Sequence, residues 1–260
     1  MCVKPEMILF DYGQTLIAEE KFAPLKGNQA LLDIAVKNPN KVTARQVQEL
    51  ANALEKDLRD VLAGEDRNHK VLDVTHHAFN RYLYDYFEVE FAESPDYLEW
   101  LFWSKAAPGH PTKNIEKLLF FLHQKGIRTG VVSNMMNTSE SLSRRLNTLL
   151  EEHHFEFILA SSDYMFRKPH PRIFELALAK AKLTPEKVWF CGDNPVCDIE
   201  GAYYAGMKPV WYPVYNEGNH RIAADIPHIQ INDWMDLIGM LEDSTPKRAG
   251  EKENEEASKS

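Results

Sequence analysis

Residues 7–16 read MILFDYGQTL: four apolar side chains, Met7 to Phe10, run straight into the carboxylate of Asp11, and a short polar turn follows. A run this short and wholly apolar reads as a strand buried on both faces. Outward from it, residues 129–132, 157–160, 188–191 and 209–212 have the same character and are separated by helical patterns. Residues 114–124 carry Ile115, Leu118, Leu119 and Leu122 on one face, with Gly126 placed to cap the helix end. Strands of this kind alternating with helices predict an α/β fold built on a parallel sheet.

Between Leu16 and about Ala106 the alternation stops. Val47, Leu50, Leu54, Leu58 and Val61 recur at helical spacing behind Thr43 and Gln46, which stand in capping-box positions. Val71, Val74, Ala78, Phe79, Leu83 and Phe87 repeat the pattern, and Ser94-Pro95 is a helix start. Residues 17–106 are therefore predicted to be an all-helical insertion within a core of residues 1–16 and 107–243. The aromatics Trp100, Phe102 and Trp103 read as packing residues at its end. Residues 244–260 hold almost no apolar side chains, with four acidic and four basic ones, and are expected to be disordered.

The 260-residue chain has a formal charge of −9, which argues against nucleic acid or an anionic membrane as the main partner. No apolar run approaches the roughly 18 residues of a membrane span, and no secretory signal pattern is evident, so a cytoplasmic location is expected. Cys2, Cys191 and Cys197 read as free thiols in a reducing compartment. The pairs His76-His77 and His153-His154 lack metal-ligand spacing and read as surface residues. Oligomeric state is not legible.

Four polar stations follow strands: Asp11; Ser133 with Asn134; Lys168; and Asp193 with Asp198. Singly each has a bland alternative. Asp11 is a turn former, Ser133 and Asn134 start a loop, Lys168 is solvated, and Asp198 caps the helix running to Gly206. Jointly they suit phosphoryl chemistry, because ligand crevices of open parallel sheets lie outside the carboxyl ends of the strands. Carboxylates gathered there repel unless a cation joins them, and all-oxygen ligands suit Mg2+. Lys168 adds a point charge for phosphate, Ser133 and Asn134 add hydrogen bonds, and Asp11 is the candidate nucleophile.

DYGQT (11–15), VVSN (131–134), KP at Lys168 and GDNPVCD (192–198) resemble, in order and spacing, the four motifs of the haloacid dehalogenase-like superfamily. The resemblance implies a Rossmann-like core, nucleophilic Asp11, Thr15 and Ser133 around the phosphate, and Mg2+ held by Asp11, the Gly13 carbonyl, Asp193 and Asp198. It also implies that the helical insertion is a cap that covers the site and selects a phosphorylated small-molecule substrate. Only 34 residues separate Ser133 from Lys168, too few for a large cap there.

Most phosphatases of that superfamily carry a second Asp where this chain has Gly13, as general acid and base. Its absence removes a group typically contributing on the order of 10² to 10⁴ in rate. Three outcomes follow: substrates with good leaving groups such as acyl phosphates; compensation by a cap side chain or by Gln14 orienting a water; or a phospholigand-binding, regulatory protein with poor turnover. Two branches also lack the second Asp. Dehalogenases carry Tyr there without the magnesium arrangement. Phosphonatases use a cap lysine, for which Lys21 and Lys26 are the candidates here.

Overall fold

The computed structural model describes residues 4–62, 74–215, 222 and 225–243. Its centre is β1 (Met7–Phe10), flanked by β4 (Arg128–Ser133) and β6 (Val188–Gly192). Beyond these lie β5 (Phe155–Ala160) on one side, and β7 (Lys208–Trp211) and the two-residue β8 (Ile229–Gln230) on the other. The order is β5-β4-β1-β6-β7-β8, every neighbouring pair parallel, with Phe10 in register with Val131 and with Cys191. The chain therefore leaves β1 toward one edge and later returns to its other side, which makes the carboxyl end of β1 the switch point where an open sheet forms a crevice.

Successive strand residues point to opposite faces, and β1 shows the consequence. Ile8 and Phe10 belong to one hydrophobic cluster, with Leu118, Leu122 and Trp234, while Met7 and Leu9 belong to another, with Ile173, Phe174 and Phe190. The first is covered by α5 (Ile115–Gln124), α6 (Ser139–Leu149) and α10 (Trp234–Asp243), the second by α8 (Pro171–Ala181) and the short α9 (Gly201–Tyr204). A single turn, α7 (Ser161–Tyr164), follows β5. Gly126 adopts φ +67° beyond α5, a helix end that only glycine makes without steric cost.

The insertion contains α1 (Pro24–Asp33), α2 (Ala44–Leu62), α3 (His76–Tyr86) and α4 (Pro95–Ala106), which enclose an apolar cluster of their own including Leu31, Val47, Phe79, Leu83 and Phe102. The Thr43/Gln46 capping box is formed: Gln46 Oε1 accepts from Thr43 N at 3.0 Å, and Gln46 N donates to Thr43 Oγ1 at 3.4 Å. Ser94 Oγ accepts from Tyr97 N at 3.3 Å at the start of α4. The helical pattern passes over a neck in which β2 (Ile17–Glu19) pairs antiparallel with β3 (Gly109–Pro111). Strands of three residues carry too few side chains to show a period.

The expectations for Cys2, for the Val61 and Val71 side chains and for residues 244–260 fall outside what is described. No helix among the described residues is long and apolar enough to cross a membrane.

Candidate active site

Asp11 follows β1 directly, and its backbone N–H donates to Cys191 C=O at 2.8 Å, so the first residue past the strand remains tied to β6. Asp193 follows β6, Ser133 ends β4, and Lys168 sits in the loop before α8. All of them, with Asp198, are buried, Lys168 to 2% exposure and Asp198 to 1%. Ligating oxygens of Asp11, Asp193 and Asp198 lie within 4.8 Å of one another, close enough to share one ion. Lys168 Nζ is 2.6 Å from Asp11 Oδ1 and 2.7 Å from Asp198 Oδ1. Both contacts are short ion pairs, and the first is also a hydrogen bond donated by Lys168 Nζ.

Neighbouring polar groups fix this arrangement. Asn134 clamps the lysine through its main chain: its Oδ1 accepts from Lys168 N at 2.7 Å and its Nδ2 donates to Lys168 C=O at 2.7 Å. Asp198 Oδ2 accepts from Asn194 N at 2.9 Å, and Thr15 Oγ1 donates to Asp193 Oδ1 at 3.4 Å. The cap of the π-helical turn Pro195–Glu200 is Asn194, whose Oδ1 accepts from Val196 N and Cys197 N. That corrects the bland alternative for Asp198, which lies inside the turn and points back at Gly192. A Cβ on Gly192 would fall 2.4 Å from Asp198 Cγ, so only glycine lets this carboxylate reach the site.

Burial and mutual repulsion of the carboxylates set the electrostatics of the site. Burial alone opposes a charge on Lys168, yet Asp11 and Asp198 hold its pKa above the ordinary lysine value. Burial, reinforced by the Asp198 and Asp11 charges, raises Asp193 to about 8. Burial likewise raises Asp198, against the pull of Lys168, to about 6. Three carboxylates facing one ammonium leave excess negative charge in a buried crevice, and a divalent ion with oxygen preference fits that donor set. Burial pushes both described thiols up, Cys197 to about 11, so neither is a reactive thiolate.

A cavity of about 730 Å³ opens from these residues toward the helical insertion. Asp11, Gly13, Gln14, Ser133, Asn134, Lys168, Asp193 and Asp198 line one end, and Asn28, Gln48, Glu55, Phe79, Leu83 and Phe102 line the other. Thr15 is not in the lining and lies fully buried behind it. A Cβ built on Gly13 meets nothing within 4 Å, so the space of the missing side chain is open. Gln14, at φ +55°, donates from Nε2 to Glu19 C=O at 3.3 Å. Lys21 and Lys26 are exposed and absent from the lining, which leaves the phosphonatase alternative without its lysine.

Two polar groupings escaped the sequence reading. Beside Asp11, the Tyr12 hydroxyl accepts from Arg145 Nε and donates to Glu19 Oε1 at 3.1 Å. Glu19 Oε1 also accepts from Trp103 Nε1 at 2.8 Å and from Arg145 Nη2 at 3.2 Å, and the guanidinium lies over the Trp103 ring. This buried cluster joins β2, α4 and α6. The second grouping corrects the view of His76 and His77 as surface residues: both are half-buried and face Glu99 on α4.

Comparison with known proteins agrees with this geometry. The family profile described as haloacid dehalogenase-like hydrolase matches residues 8–212. The phosphoserine phosphatase of Thermus thermophilus is 42% identical over 59 residues, 23% of this chain and 24% of that protein. The glyceraldehyde 3-phosphate phosphatase of Pyrococcus furiosus is 34% identical over 96 residues, 37% of this chain and 39% of that protein. The alignments thus span well under half of these relatives. A 2-haloacid dehalogenase from Pseudomonas syringae superposes with a TM-score of 0.60 over 92% of this chain and 99% of its own, at 22% identity, a likeness of fold alone. With most of its length inside the matched region, the chain belongs to the haloacid dehalogenase-like hydrolase family.

Proposed function

We propose that the protein is a Mg2+-dependent phosphatase-type hydrolase of phosphorylated small molecules that works through an aspartyl-phosphate on Asp11. The observation that carries this is the buried convergence of Asp11, Asp193 and Asp198 around Lys168 at the carboxyl ends of β1 and β6. The Thermus and Pyrococcus relatives, both named as phosphatases, point the same way.

Lys168 Nζ donates to Asp11 Oδ1 and holds the carboxylate in one orientation. The Asp11 carboxylate forms a bond to phosphorus while the bond to the leaving oxygen breaks, its electron pair departing with that oxygen. Ser133 donates to the phosphoryl oxygens, and Asn134 acts through Lys168 as a positioning residue. Asp11, Asp193, Asp198 and the Gly13 carbonyl would hold a magnesium ion, which when bound would supply charge neutralisation at the phosphoryl group. Water then bonds to phosphorus as the Asp11 oxygen–phosphorus bond breaks, which releases inorganic phosphate with the water's protons and restores the Asp11 carboxylate. With no acid at position 13, the departing oxygen is best already stabilised as an anion, which favours acyl phosphates. The helical insertion, residues 17–106, serves as the cap over the cavity.

Phosphate release from a broad panel of phosphate esters and acyl phosphates, with and without Mg2+, tests the proposal. Magnesium-dependent release, greatest for acetyl phosphate and abolished in Asp11→Asn, is expected. Failure to release phosphate from any member would overturn it. The second reading, a phospholigand-binding protein with little turnover, is favoured by the open space beside Gly13, and binding of the same panel without release would support it.

A further inference from the structure

A second set of ligating side chains lies where α3, α4 and the start of α6 meet. Asp96 and Glu99, three residues apart on α4, share a face of the helix, and His77 sits in the first turn of α3. One ligating atom from each of the three lies within 4.8 Å of the others. His77 Nε2 is 3.3 Å from Asp96 Oδ1 and 3.7 Å from Glu99 Oε2. A tetrahedral ion with bonds of about 2.1 Å holds its donors about 3.4 Å apart, so these spacings already suit one ion.

An independent observation points to a ligand. Glu99 is fully buried, and its Oε2 accepts from Thr138 N at 3.0 Å and from Thr138 Oγ1 at 2.7 Å. Its Oε1 has no hydrogen-bond partner and faces His76 Nδ1 across 3.8 Å, too far for a hydrogen bond. His77 Nε2 and His76 Nδ1 are buried atoms in the same condition. Among the described residues no lysine or arginine pairs with Glu99. A buried carboxylate with an orphaned oxygen beside orphaned imidazole nitrogens is strongly unfavourable unless something occupies the space between them.

We infer that His77, Asp96 and Glu99 form a binding site for a divalent transition ion of the zinc class, separate from the Asp11 cluster. Imidazole nitrogen mixed with carboxylate oxygen selects such an ion over Mg2+, which prefers oxygen alone. Two carboxylates and a neutral imidazole carry the charge that a divalent ion cancels. His77 and Asp96 keep 30% and 47% of their side chains exposed, so the ion enters from solvent. The site joins α3 to α4. Glu99 extends the connection to Thr138, and His76 N donates to Met136 C=O at 2.7 Å, so the ion ties the helical insertion to the segment that follows Ser133 and Asn134.

Equilibrium dialysis of the full-length protein against micromolar ZnCl2 with millimolar MgCl2 tests this. Wild type should retain one more zinc per chain than either His77→Ala or Asp96→Asn, with affinity at this site lowered more than about tenfold in each variant. The Co2+-substituted wild type should show a visible d–d band that His77→Ala lacks. Asp96, nearly half exposed, keeps the test valid should the histidine variant fail to fold. Equal zinc stoichiometry in wild type and Asp96→Asn would overturn the inference.

Discussion

At position 13 the backbone is already placed for a side chain that the sequence omits. Since a Cβ there meets nothing within 4 Å, Gly13→Asp should fold normally. It should raise turnover of alkyl phosphate monoesters by on the order of 10² to 10⁴, and of acyl phosphates far less, because only the former need a proton on the leaving oxygen. Steady-state kinetics on the two substrate classes measures the difference. Gly192 is the opposite case: Gly192→Ala drives a methyl group into Asp198, and a drop of at least about 100-fold in kcat/KM at limiting Mg2+ is expected. The convergence of Asp11, Asp193, Asp198 and Lys168 was legible because their order along the chain is informative even when each is ambiguous alone. Arg145 and Glu99 were not, since a charged residue on an amphipathic helix reads as solvent-facing until its neighbours are known.

Among the elements, the five longer strands were legible because burial on both faces demands an unbroken apolar run, as in Met7–Phe10. The strands β2, β3 and β8, of two or three residues, owe their existence to pairing partners distant in sequence. Helix α6 owes its seat to Arg145, whose guanidinium holds Glu19, Tyr12 and the Ala107 carbonyl at once. Removing one partner of a buried ion pair leaves the other uncompensated, typically at a cost of about 3–5 kcal/mol. Arg145→Met should therefore lower the denaturant midpoint by an amount corresponding to a loss in that range, and the double variant with Glu19→Gln should recover part of it. An unchanged midpoint in Arg145→Met would show that the cluster carries no net stability.

For the whole molecule, the proposed magnesium site would link stability to pH. The folded-state pKa of Asp193, about 8 without metal, lies above the carboxyl's ordinary value of about 4. Between those values the folded protein binds a proton that the unfolded chain does not, so this group's contribution to stability is lost as pH rises toward 8. From pH 6 to pH 8 the loss is on the order of 2 kcal/mol. Mg2+ bound as proposed would replace the proton, so the gain in melting temperature on adding Mg2+ should be larger at pH 8 than at pH 6; differencing with and without the ion cancels the titration of groups away from the site, such as His76. A gain independent of pH would place the ion elsewhere. The neck has a consequence of its own. Departure and return of the chain lie side by side on one ladder, closed by Glu20 N to Pro108 O at 2.8 Å, so the lobe begins and ends at one place. A foreign lobe spliced at the same two rungs would close only a short loop at the neck, and would have to refill the seats that Trp103 takes under Arg145 and Glu99 takes on Thr138.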